Sequence, residues 1–132
     1  MKMLFTLAAV LATVVSASAA MAASYSSTWP VTVTGSRGFN GNHCLALTDD
    51  GGFGWPHSGF GTLDGTNFAS FQVIGNAIEV VVQDEGGNGE VEGTVITASA
   101  RKGAIGNGVF TIILAGETVD SGKVAFGAKS GC

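Results

Sequence analysis

The sequence predicts an all-β protein built as a single antiparallel up-and-down β-barrel of about eight strands. Three observations carry this expectation. Beyond residue 22 no segment sustains a helical period, whereas Val, Ile, Thr and Phe recur in short runs between turn residues. The chain holds 21 glycines, and many fall between those runs as hairpin punctuation. The connections are also too short for parallel crossovers, which need about a dozen residues, so consecutive strands pair antiparallel. Eight such strands in one small domain must hide their edges, and closure into a barrel removes them. A two-sheet β-sandwich is the alternative arrangement.

The first element is an export signal. Lys2 supplies a positive start, and residues 4–15 are apolar except for Thr6 and Thr13. Two small-x-small cleavage sites follow, Ala17-Ser18-Ala19 and Ala20-Met21-Ala22. The apolar run is shorter than the roughly 20 residues needed to span a bilayer, so it reads as a cleaved signal rather than an anchor. The expected organisation is therefore a signal peptide over 1–22 and an exported domain over 23–132, periplasmic or secreted, with no membrane insertion after cleavage. About 110 residues suit one domain.

The predicted strands are 28–34, 43–48, 58–63, 68–74, 77–84, 91–99, 108–114 and 118–127. The fifth alternates with Ile78, Val80 and Val82 on one face. The seventh sets Phe110, Ile112 and Leu114 opposite Val109, Thr111 and Ile113. Gly75-Asn76 reads as a two-residue hairpin turn with both residues at positive φ. Gly86-Gly87-Asn88-Gly89 reads as a looser turn, Arg101-Lys102 as a solvated turn, and Gly116-Glu117 as the break between the last two strands. Asn42, Asn76 and Asn107, followed by Gly59, Gly93 and Gly122, suggest a two-strand unit used three times. Phe68, Phe71, Phe110 and Phe126 are candidates to fill the barrel.

The chain has two cysteines, Cys44 and Cys132. In an exported protein they imply one intramolecular disulfide. It closes a loop of about 90 residues, worth roughly 4–5 kcal/mol in the chain-entropy account. It also ties down the last residue, which would otherwise fray. Six basic residues stand against ten acidic ones, a net charge of −4, and no basic cluster occurs. That balance argues against nucleic acid and anionic membrane surfaces as partners.

Trp29, early in the first strand of a small exported meander, resembles the calycins, the lipocalin and avidin superfamily. There a first-strand Trp plugs one barrel end after a Gly two positions earlier; here Ser27 stands at that Gly place. The resemblance implies a barrel that binds a small molecule at its mouth. Size, single disulfide and early Trp are also similar to the small barrel-shaped metalloprotease inhibitors of the bacterial periplasm. The strings Trp29-Pro30-Val31-Thr32-Val33-Thr34-Gly35, Cys44-Leu45-Ala46-Leu47-Thr48-Asp49-Asp50-Gly51 and Gly54-Trp55-Pro56-His57-Ser58-Gly59 resemble short uncharacterised exported β-barrel proteins of bacteria, a likeness that implies no activity.

The most unusual stretch runs from Asp49 to His57. Phe53 and Trp55, with His57, Asp49 and Asp50 beside them, form a candidate surface for a sugar ring, a peptide or a protein partner. The plainer alternative is that Phe53 and Trp55 cap a barrel end while Asp49-Asp50-Gly51-Gly52 makes a turn. Asp49, Asp50, His57 and His43 match no metal-ligand spacing, so no metal is expected. Ser58 follows His57 directly and would point to the opposite face of a strand, which is poor geometry for a nucleophile and its base. Glu90 and Glu92 read as a solvated strand start. No helix follows the glycine-rich turn to bind phosphate. The expected role is therefore non-enzymatic and cofactor-free. It is either binding of a small molecule in the barrel mouth, or a protein interaction, such as inhibition of an exported protease, through loops or the arm 23–28.

Overall fold

The computed structural model describes residues 24–84 and 92–132. The export signal and the turn expected at 86–89 lie outside those residues. Eight strands follow one another: β1 (Ser27–Thr34), β2 (Gly41–Asp49), β3 (Ser58–Leu63), β4 (Asn67–Ile74), β5 (Ala77–Asp84), β6 (Glu92–Arg101), β7 (Ala104–Leu114) and β8 (Glu117–Phe126). Each pairs antiparallel with the next, and β8 returns to β1, closing an up-and-down barrel in the order β1 to β8. The sandwich alternative is thereby excluded.

The local chemistry explains most connections. Gly75 takes φ 60° in the β4–β5 hairpin, where Ile74 pairs with Ala77. Asn76 is not at positive φ, which differs from the expectation that both turn residues would be. One glycine at the first position suffices for a turn whose twist matches the strands. The β6–β7 connection is tighter than expected: Lys102 and Gly103, at φ 51° and 79°, form the turn between paired Arg101 and Ala104. Both strands therefore run further than their apolar pattern suggests. Ala115 and Gly116 turn the chain between β7 and β8, and Glu117 already belongs to β8. The Asn–Gly recurrence does not become a structural repeat, because Asn76 sits in a turn while Asn42 lies within β2 and Asn107 within β7.

Alternation places one face of every strand inside. Trp29, Val31 and Val33 of β1 meet Leu45 and Leu47 of β2, Phe71 of β4, Ile78 and Val80 of β5, Ile96 of β6 and Phe110 of β7 in one buried core. Phe126 packs partly against it, but Phe68 does not enter it and faces outward, 48% exposed. Its separation from Phe71 is an odd number of residues, so the two rings must lie on opposite faces of β4.

Glycine makes tight closure sterically feasible. A Cβ at Gly61 would run into the Ala46 carbonyl oxygen, and one at Gly59 into that of Thr48. These two inward positions on β3 thus let β2 and β3 approach more closely than any other residue would permit.

The β1–β8 seam is short. Only Val31 to Thr34 pair with Phe126 to Lys123. Just before it stands Pro30, which has no N–H to give a ladder; its carbonyl accepts from Gly127 N at 2.8 Å. The chain beyond β8 continues as a strap over the outside of β1. Ser130 N donates to Thr28 O at 2.8 Å, and Gly131 lies against the Pro30 ring so closely that a Cβ there would come within 2.6 Å of Cγ. Cys132 then bonds Cys44 of β2, with Cα atoms 5.9 Å apart and a sequence separation of 88. The disulfide thus clamps β1 from both sides. Reduction, or Cys132→Ser, is expected to remove about 4 kcal/mol and lower the melting temperature by more than about 10 °C, as measured by circular dichroism with and without reductant. Unchanged melting would contradict the clamp.

Candidate functional site

The two barrel ends are built differently. One end receives the amino-terminal residues, the 50–57 loop and the β4–β5 and β6–β7 turns. It is plugged. Tyr25 and Trp29 are both 2% exposed, and Trp29 Nε1 donates to Tyr25 O at 3.1 Å. Phe126 meets the Trp29 ring edge-on at 6.5 Å, and Lys129 Nζ sits 5.8 Å from its centroid while donating to Ser24 O.

Asp49 and His57 hold this plug in place. The Asp49 side chain is 4% exposed, and its Oδ2 accepts from His57 Nδ1 at 2.7 Å and from Tyr25 N at 3.0 Å. Asp49 N donates to Ser26 Oγ at 2.8 Å, and the Tyr25 ring stands edge-on to His57 at 5.2 Å. Two of the residues singled out in the sequence are therefore brought together, as a clamp on the amino-terminal arm. Ser58 is fully buried and staples the loop: its Oγ accepts from Phe53 N and donates to Trp55 O, each at 3.2 Å. Asp50 and Gly51 both donate backbone N–H to Ser58 O. Asp50 remains exposed. Phe53 and Trp55 stay on the outside, 49% and 47% exposed, while Tyr25 and Trp29 close the end.

The opposite end carries the β1–β2 loop, the β3–β4 turn, the β7–β8 turn and the facing ends of β5 and β6, and among the described residues no side chain plugs it. A cavity of about 340 Å³ lies there. Its floor is apolar, made by Leu63, Val82 and Ile112 with Phe39 leaning over one side. Asn67, Thr94 and Asp120 add polar atoms near the rim. Val119 joins the wall because the β7–β8 register shifts at this point, between the pairs Ile112–Asp120 and Ile113–Thr118. Such a bulge re-aims a side chain at a barrel rim.

The loop that overhangs the cavity is fastened at two places. On one side Asp120 Oδ2 accepts from Ser36 Oγ at 2.5 Å and from Arg37 N at 3.1 Å. These bonds, with the Ser36 hydroxyl the strongest influence, hold the Asp120 carboxyl below the usual 3.8. On the other side Phe39 stacks on His43 at 4.3 Å and meets Phe110 edge-on at 5.6 Å. His43 Nδ1 lies 2.7 Å from Asp64 Oδ2, and its Nε2 lies 2.9 Å from Phe39 O. Both neighbours are acceptors, so the ring makes both bonds only with a proton on each nitrogen. Asp64 is itself locked: its Oδ1 accepts from Cys44 N, its own N donates to Cys44 O, and it holds φ 54° in the turn.

His43 and His57 sit toward opposite ends of the barrel, each with its own carboxylate, and do not converge with Asp49 and Asp50 on one point. Among the described residues no group of three or more His, Cys, Asp or Glu is placed to hold a metal ion. Sequence reasoning missed Tyr25, Phe39, Phe60 and Asp64. No local spacing around His43 points to Phe39 or Asp64; the three meet only once β2 and β3 are in register.

Two outcomes follow from these clamps. Asp49→Ala leaves Tyr25 N and the His57 ring without their shared acceptor, and is expected to cost about 1–3 kcal/mol. In a Trp55→Phe background its Trp29 emission should shift to the red; unshifted emission would show that the arm stays seated without Asp49. At the other end, burial opposes the Asp64 charge, but the His43 hydrogen bond, the Cys44 N–H and the His43 charge outweigh it and hold the carboxyl below 3.8. A carboxyl lowered in the folded state stabilises the fold above its unfolded value and loses that contribution as pH falls through the folded one. Urea midpoints taken between about pH 5 and pH 2 should therefore fall less steeply in Asp64→Asn than in the parent. Parallel slopes would contradict the assignment.

Comparison with protein-family models, with curated proteins and with solved structures found no match for this chain.

Proposed function

We propose that this protein is a non-enzymatic, exported binding protein that takes a small, largely apolar molecule into the open mouth of its barrel. The observation that carries this reading is the asymmetry of the two ends. One is filled by Trp29 and Tyr25 and keeps a shallow outer groove of about 470 Å³ beside the β6–β7 turn, whereas the other holds a more enclosed cavity of about 340 Å³ floored by Leu63, Val82 and Ile112. That volume lies at the small end of the range of about 300–1,000 Å³ typical of ligand pockets. An apolar floor with a few polar atoms at the rim suits a ligand with a hydrocarbon body and one polar end. Asn67 and Thr94 offer hydrogen bonds to that end, and the Asp120 carboxylate, already engaged by the 36–37 segment, disfavours an anionic head group.

Export is supported by the Cys44–Cys132 bond, which suits an oxidising compartment, and by the signal-like start of the chain. The reading as a binder rather than an enzyme rests on the use of the polar side chains. One Asp–His pair fastens the amino-terminal arm and the other the β1–β2 loop, and the buried Ser58 hydroxyl is committed to the backbone of Phe53 and Trp55.

Native mass spectrometry of protein purified from its own source without denaturation is the test. A reproducible bound small molecule is expected, and it should be absent from Ile112→Trp, in which the indole occupies the cavity while the disulfide and strand content are retained. A bare monomer that also fails to take up an aliphatic alcohol series in solution would overturn the reading.

A further inference from the structure

A second feature lies on the outer wall of the barrel, away from both ends. Outward positions of a small barrel are ordinarily polar, yet Phe60 of β3 and Phe68 of β4 both face solvent, 39% and 48% exposed. Phe53 from the 50–57 loop folds down beside them. The ring centroids of Phe53 and Phe60 lie 5.0 Å apart, and those of Phe60 and Phe68 5.5 Å apart, all tilted rather than stacked. The three rings form a continuous strip. The loop is shaped for this: a Cβ at Gly52 would lie only 3.0 Å from Phe60 Cε2, so glycine there lets the loop lie against the ring. None of the three rings belongs to the buried core.

Beside the strip runs a groove of about 180 Å³ with Phe53 as one wall. Ser70, Gln72, Glu79 and Val81 line it. Gln72 and Glu79 are direct cross-strand partners in the β4–β5 register, so an amide and a carboxylate stand side by side next to an aromatic wall.

We propose that this face binds a neutral, extended β-linked oligosaccharide. A pyranose ring has an apolar C–H face, which stacks on an aromatic ring, and a rim of adjacent hydroxyls, which donate to a carboxylate and accept from an amide. The Gln72–Glu79 pair supplies that acceptor and donor at neighbouring positions. The negative charge of Glu79 disfavours an acidic ligand. A ribbon-like glycan matches a strip of rings better than a compact ligand would. Other occupants fit less well. An added peptide strand needs a free sheet edge, and β3, β4 and β5, which carry this face, each pair with a neighbour on both sides. A second copy of the chain needs about 800 Å² on each side. Three half-exposed phenyl rings present on the order of 300 Å². A cation-binding cage needs aromatic faces around the charge, whereas these rings lie in a row.

The site is independent of the mouth cavity, so the Ile112→Trp variant leaves it intact and separates the two readings. The experiment is isothermal titration of the purified, disulfide-bonded protein with cellotetraose, chitotetraose and maltotetraose, each up to millimolar concentration. A β-linked tetrasaccharide is expected to bind at least about tenfold more tightly than the α-linked one. Phe53→Ala and Glu79→Gln should each weaken that binding about tenfold or more with no change in melting temperature, since both side chains lie outside the core. Phe68→Ser serves as a second outward variant should the Phe53 loop rearrange. Absence of heat with all three sugars, equal binding in the Phe53→Ala, Glu79→Gln and Phe68→Ser proteins, or binding of tetramethylammonium in place of the sugars would overturn the proposal. Concentration-dependent dimerisation abolished by Phe68→Ser would likewise assign the strip to self-association and overturn it.

Discussion

Closure of the β1–β8 seam is the constraint on which the rest of this structure depends. Seven ladders join strands that are neighbours in sequence, where short turns keep the entropy of pairing small. The eighth joins the two ends of the domain and is only four residue pairs long. Without it, two strand edges would lie open and the core side chains of β1, Trp29 among them, would lose one wall. The fold concentrates its reinforcement at this place. The strap over Pro30, the Ser130–Thr28 bond and the Cys44–Cys132 bridge all act on β1, and together they fix it between β2 and the chain end.

Closure also explains why the two ends differ. Because β1 enters the barrel at the end where the strap arrives, that end receives Tyr25, Trp29 and Lys129 together and fills. At the far end no described side chain plays the part of Trp29, and space remains above Leu63, Val82 and Ile112 beside Phe39. The two Asp–His pairs mark the two solutions. Asp49 and His57 secure the amino-terminal arm as a plug, while Asp64 and His43 secure the β1–β2 loop beside an opening. The same chemical unit thus serves closure at one end and shaping of a mouth at the other.

Much of the architecture was legible in the sequence because period-two alternation and turn glycines are local signals. The phases of β5 and β7 follow from them, whereas the disulfide was read from the presence of just two cysteines, and the burial of Trp29 was what the calycin resemblance implied. Less local features were hidden. Arg101-Lys102-Gly103 did not announce a two-residue hairpin, since a lysine at φ 51° is tolerated only because the flanking strands impose it. The direction of Phe68 was available from its odd spacing to Phe71, yet a residue type that favours cores suggested otherwise. Asp49 and His57 stood out in the text, but whether they face a ligand or an arm depends on Tyr25, twenty-four residues before Asp49. The exposed strip of Phe53, Phe60 and Phe68 joins a loop to two strands and exists only once β2, β3 and β4 are in register.

The most direct test of this account is native-state amide hydrogen exchange, resolved by residue, on the oxidised and the reduced protein. The account predicts that Val31–Thr34 and Lys123–Phe126 exchange as slowly as the β4–β5 ladder when the disulfide is intact. On reduction those seam amides should exchange markedly faster, while β4 and β5 keep their protection. Seam protection that is low in the oxidised protein, or unchanged by reduction, would contradict the claim that the short ladder and its outer clamp hold the barrel shut.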